Sequence, residues 1–282
     1  MKKYFKKIAI IFIATIAFIS CTKEENLKEI TELDGLTKFR ELSNSTHTIE
    51  LYSKKGGLTQ GYNEIKLSIK ENSSDLFIKT AQVSWTPMMH MITMTHSCPK
   101  SAVEKVSTEG NLYQGYIMFQ MAENASEYWD LTIDYIIDGV AYSVTSEIDV
   151  PASEKRTVNS FTGTDGVRYL LAYIEPNEPK VAINDIKIGV WKMESMMSFT
   201  IVDGFSVKID PRMPSMENHS SPNNVTATQT NVGEFYDGKL SLTMTGYWKI
   251  NLQLAKEDGT ILKGEEITST VESSSIFFEI EF

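Results

Sequence analysis

The chain has 282 residues, 41% hydrophobic and 10% aromatic, with 27 basic against 37 acidic side chains and a net charge of −10. That is globular composition with room for two ordinary domains. The acidity excludes a surface built to neutralise a phosphate backbone, so no nucleic-acid partner is expected, and two cysteines, Cys21 and Cys98, are too few for a disulfide framework.

Lys2, Lys3, Lys6 and Lys7 precede an apolar run over 8–19 that is too short to span a bilayer. Phe18-Ile19-Ser20-Cys21 resembles the cleavage site of a bacterial lipoprotein signal peptide, with Phe where Leu is usual. Residues 1–20 are therefore read as that signal peptide. Cys21 becomes the acylated first residue of the mature chain, and the membrane its partner through that lipid anchor. Thr22 rather than Asp follows. By analogy with lipoprotein sorting this implies the outer membrane, facing the periplasm or the cell surface. Residues 21–44 read as a tether. Leu27, Ile30, Leu33, Leu36 and Phe39 recur every third residue, a spacing that drifts around a helix, and Gly35 interrupts it.

From residue 45 onward short β-patterned runs dominate. His47 stands alone near a strand start and reads as structural. Residues 63–69 alternate, with Ile65, Leu67 and Ile69 on one face. A second strand is expected over 76–83, followed directly by a loop, Pro87-Met88-Met89-His90-Met91-Ile92-Thr93-Met94-Thr95-His96-Ser97-Cys98-Pro99. Strands follow over 113–121, where Met118 faces away from Ile117 and Phe119, then over 128–133 and 141–148. Pro151 to Arg156 is a polar link. The pattern then repeats: 184–190, a segment holding Met193, Met196 and Met197 that reads as a hairpin, a strand over 205–209, and a second loop. That loop reads Pro211-Arg212-Met213-Pro214-Ser215-Met216-Glu217-Asn218-His219-Ser220-Ser221-Pro222. Strands over 236–244, 247–252 and 275–280 close the chain.

The two halves are a duplication. Residues 63–69 match 184–190 at an offset of 121, 113–121 match 236–244 at 123, and 128–133 match 247–252 at 119. The loops align through Met91 and Met94 with Met213 and Met216, at offset 122. About seven short strands per copy predict an all-β chain of two tandem immunoglobulin-like β-sandwiches, over 45–150 and 157–282. Trp129 and Trp248 are expected in the cores, and Met121 and Met244 at inward strand ends read as packing residues.

Each loop holds Met-x-x-Met, then a His two or three residues on, then Ser-x-Pro. Thioethers with imidazole suit a soft metal, above all Cu(I), whereas Zn²⁺ would want Cys, His or carboxylate. The candidate ligands are Met91, Met94 and His96 in the first copy and Met213, Met216 and His219 in the second. His90 and Met89 enrich the first copy and make it the better site. The bland alternative is that both loops fold down as caps on the sandwiches.

On these residues each half resembles a YtkA-like domain, a small β-sandwich module of bacterial envelope proteins. The matching features are the Asn-Glu/Asp-Ile-Lys strand, the Met loop with its His and Ser-x-Pro, the Tyr-x-Gly strand ending in Met, and the Tyr-Trp strand. Such domains are related to the soluble part of FixH proteins. The resemblance implies copper handling, with a copper donor or acceptor protein as partner. The alternative function is a surface-displayed immunoglobulin-like binding or accessory module with no metal. No Ser/His/Asp arrangement, phosphate loop or zincin helix stands in the sequence, and no enzyme activity is expected.

Overall fold

The computed structural model describes residues 32–282. The expected signal peptide 1–20, the lipidated Cys21 and the first part of the tether lie outside the described residues. The rest forms two tandem β-sandwiches of the immunoglobulin-like kind, with antiparallel pairing throughout and one short 3-10 turn at Pro214–Met216. Among the described residues no helix is long and apolar enough to cross a membrane.

The first sandwich contains β1 (Thr37–Ser43), β2 (His47–Ser53), β3 (Gly61–Glu71), β4 (Gln82–His90), β5 (Thr95–His96), β6 (Glu104–Lys105), β7 (Leu112–Phe119), β8 (Tyr128–Ile137) and β9 (Val140–Ile148). One sheet runs β1-β2-β3-β7-β6 and the other β5-β4-β8-β9. The second contains β10 (Val158–Thr162), β11 (Arg168–Glu175), β12 (Ile183–Ser195), β13 (Ser198–Ile201), β14 (Ser206–Met213), β15 (His219–Ser220), β16 (Val225–Thr228), β17 (Tyr236–Ser241), β18 (Tyr247–Ala255), β19 (Ile261–Lys263) and β20 (Phe277–Glu281). Its order β10-β11-β12-β17 repeats β1-β2-β3-β7, and β15-β14-β18-β20 repeats β5-β4-β8-β9. The copies differ at β16, which bonds both β17 and β14 and joins the two sheets along one edge.

Alternation fills the cores as the period-2 pattern requires. Ile65, Leu67 and Ile69 are fully buried, as are Trp129, Leu131 and Ile133 on β8 and Trp248, Ile250 and Leu252 on β18. Each such side chain contributes roughly 1.5–3 kcal/mol of burial. The duplication also extends to single hydrogen bonds. Asn63 Nδ2 donates to the carbonyls of Thr59 and Gly61, and Asn184 Nδ2 to those of Lys180 and Ala182. The Trp129 indole donates to the Met121 carbonyl and that of Trp248 to Met244. Tyr113 and Tyr236 each accept a backbone N–H, from Ala81 and Phe205, and donate to a carbonyl, of Lys79 and Val202. The Tyr-x-Gly pattern has a steric cause: a Cβ on Gly115 would sit 2.6 Å from the Trp85 ring, and one on Gly238 2.7 Å from the Val225 carbonyl.

Two expectations are corrected. The stretch over 37–43, expected within the tether 21–44, is strand β1, paired with β2 around a bulge between Lys38 and Arg40. Four of its seven residues are exposed and Leu42 alone is buried, so no clean alternation marks it. The strand expected over 76–83 runs instead from Gln82 to His90, so Pro87, Met88, Met89 and His90 are strand and not loop. Proline suggests a break because it cannot donate to a ladder. Here β4 bonds β8 on one side, while on the other the Ser97 hydroxyl donates to the Pro87 carbonyl at 2.8 Å. Pro211 repeats this, its carbonyl accepting the Ser221 N–H.

The sandwiches meet along a small apolar contact. Met118, on the outer face of β7, is fully buried with Leu170, Ala172 and Trp191 of the second copy, and Tyr116 and Phe235 pack around them.

Candidate metal centre

Strands β4 and β5 form a tight hairpin. Met89 pairs with His96, His90 pairs with Thr95, and the Met91 N–H donates to the Met94 carbonyl at 2.9 Å. Side chains alternate across a strand and directly paired residues share a face. Met89, Met91, Met94 and His96 therefore lie on one face, and His90 on the other. Exposure grows toward the tip: Met89 is fully buried, Met91 half-buried against the core, and Met94 46% exposed. The expected ligands Met91, Met94 and His96 thus share one hairpin face, with Met89 behind them in the core.

His96 is buried and edge-on to Trp129, with ring centroids 5.6 Å apart. Its Nδ1 lies 2.8 Å from the Ser97 carbonyl, an acceptor, and 3.0 Å from the Gln120 amide nitrogen, a donor. The Gln120 amide donates to the same carbonyl at 3.1 Å. A proton on Nδ1, donated to that carbonyl, leaves Nε2 a lone pair to offer, the arrangement usual for a metal-ligating imidazole. The Gln120 amide oxygen beside this pair is buried without a hydrogen-bond partner. His90 is committed elsewhere. Its Nε2 lies 2.7 Å from the Asp130 carboxylate and its ring stacks on Tyr128 at 4.7 Å. Cys98 is buried, and burial pushes its thiol well above the ordinary range, as expected of a small packing residue.

The second hairpin is built differently. Met213 pairs with His219 as Met89 pairs with His96, so the equivalent residues are Met89 with Met213 and His96 with His219. The Met-x-x-Met alignment at offset 122 is out of register with the fold. Met213 is buried like Met89, while Met216 sits on the 3-10 turn, 48% exposed, and His219 is exposed. Glu217 and Asn218, both with positive φ, carry the chain between them. Arg212 grips the Asp210 carboxylate on the strand before this turn. In the second copy Met213 and His219 share a face, while Met216 stands on the 3-10 turn.

Among the described residues no three His, Cys, Asp or Glu side chains converge as a metal group. The first hairpin's donors belong to a different set, two thioethers with one imidazole. Sequence reasoning missed one neighbour of this hairpin. The tip of the β12–β13 hairpin carries Met196, whose carbonyl accepts the Ser97 N–H at 2.8 Å. Nothing in a linear pattern reports a contact between residues so far apart in the chain.

No family model and no curated protein matches this chain. Among solved structures it is similar to the Escherichia coli adhesin FdeC, at 13% identity and a TM-score of 0.25, covering 78% of this chain and 62% of that one. The chain thus spans less than two thirds of the adhesin chain's length.

Proposed function

We propose that this protein is an envelope lipoprotein that binds or delivers a soft metal, with Cu(I) as its cargo, at the β4–β5 hairpin. The observation that supports this reading is the shared face of Met91, Met94 and His96. Two thioethers facing each other across a hairpin turn, plus one imidazole nitrogen, make a donor set suited to Cu(I). Met91 and Met94 are the sulfur donors and His96 the nitrogen donor, while Met89 packs beneath them. Met213, Met216 and His219 form a weaker second set. Binding and release require no redox step and no catalytic residue. The resemblance to YtkA-like domains and the lipobox-like segment ending at Cys21 support the same reading. They make the outer membrane the location and a copper donor or acceptor protein the partner.

The test is a Cu(I) titration of the full-length chain against a competing chelator. Sub-micromolar binding is expected, weakened at least about tenfold in Met91→Leu/Met94→Leu. An unbound wild type, or a double variant with unaltered affinity, overturns the proposal. The anchor is tested separately: Cys21→Ala is expected to shift the protein from the membrane to the soluble fraction.

A further inference from the structure

The two sandwiches have diverged in complementary ways. The β12–β13 hairpin closes with a two-residue tip, Met196-Met197, between the paired Ser195 and Ser198. The corresponding tip of the first copy reads Asn72-Ser73-Ser74-Asp75, with no sulfur. The tip that carries thioethers is the one that reaches the other sandwich, where the Ser97 N–H bonds the Met196 carbonyl. A backbone hydrogen bond of this kind sets two chains roughly 5 Å apart, the spacing of neighbouring strands. The Met196 backbone therefore runs beside that of His96 and Ser97. Elsewhere in this contact Trp191 and Met118 are almost wholly buried, yet Met196 and Met197 are 44% and 50% exposed. Burial does not account for methionine at this tip.

From this geometry we infer that the soft-metal site is shared between the sandwiches, with Met196 of the second supplying a thioether to the His96 and Met94 of the first. The inference rests on the Cu(I) reading above and extends it. Metal bound there ties the two sandwiches together through Met196 as well as through the apolar contact. It also matches the inequality of the two copies: the second copy's turn bonds the chain at Glu272, in a segment that carries no sulfur.

The test uses the full-length chain, Cu(I) with a chelator competitor, and ¹³C-methyl methionine spectra with Ag(I) as a spectroscopic stand-in. Met196→Leu keeps the apolar bulk and removes the sulfur, so the fold is retained. Its Cu(I) affinity is expected to fall at least about tenfold, while Met197→Leu stays at the wild-type value. The Met196 methyl resonance is expected to shift with Ag(I) together with those of Met91 and Met94. If Met196→Leu binds like the wild type and its methyl does not move, while Met91→Leu/Met94→Leu loses binding, the shared site is wrong and the hairpin site stands. If the wild type binds neither ion, both fall.

Discussion

His47 shows how one side chain can carry a pH dependence without a metal. It is buried at the start of β2, edge-on to Tyr135 and Tyr142, with Nδ1 3.2 Å from the Tyr135 hydroxyl. Burial lowers its pKa below the ordinary 6.5, partly offset by the Glu71 charge. The folded state therefore disfavours the protonated ring. As pH falls through 6.5 the unfolded chain takes up the proton first, so stability is lost from there down to the folded pKa. Chemical denaturation at pH 7.5 and 5.5 should show a loss at the lower pH that His47→Gln reduces. Equal pH slopes in the two proteins would remove His47 as the cause. The methionines separate by the same logic of burial. Met89→Ala should cost about 2–5 kcal/mol, because a buried side chain leaves a cavity. Met94→Ala, at an exposed tip, should stay within about 0.5 kcal/mol. Similar losses in thermal melts of both would mean that the tip is packed after all.

At the level of elements, the alternating strands were legible because one face of each is fully buried, which fixes a period of two. Residues 63–69 and 128–133 and their repeats carried that pattern plainly. Strand β1 did not, since four of its seven residues are exposed and one leucine alone is buried. Nor did the first half of the Met segment read as strand, because Pro87 is placed where its missing N–H costs nothing. The candidate site was legible as residue types and partly as register. Met-x-x-Met is a spacing that a hairpin and a 3-10 turn can both display, so it aligned Met91 with Met213, whereas the ladders pair Met89 and Met213 with the histidines. What the two copies share residue for residue are polar side chains with fixed partners. Asn63→Ala and Asn184→Ala should each cost about 1–3 kcal/mol by leaving paired backbone groups buried and unmet. Equilibrium denaturation of the two variants should give matched losses. A loss confined to one would mean that the shared hydrogen bonds have lost their structural equivalence.

For the whole molecule, the joint between the sandwiches decides whether the chain behaves as one body or two. A link of polar residues alone would leave two modules free to turn, which is the default for a small, polar junction. Here Trp191 leaves the second core and packs with Met118 of the first, while the hairpin it belongs to bonds Ser97 beside His96. The tryptophan and the hairpin tip are consecutive parts of β12 and its turn, so freeing one frees the other. Trp191→Ala should remove about 3–5 kcal/mol from the second sandwich and its contact. It should also raise the hydrogen-exchange rate of the Ser97 amide, whose acceptor is Met196, while the amides of β3 in the first core keep their protection. Exchange at Ser97 that stays slow in this variant would show that the hairpin is held by its own turn, and that the apolar contact and the hairpin bond are independent joints.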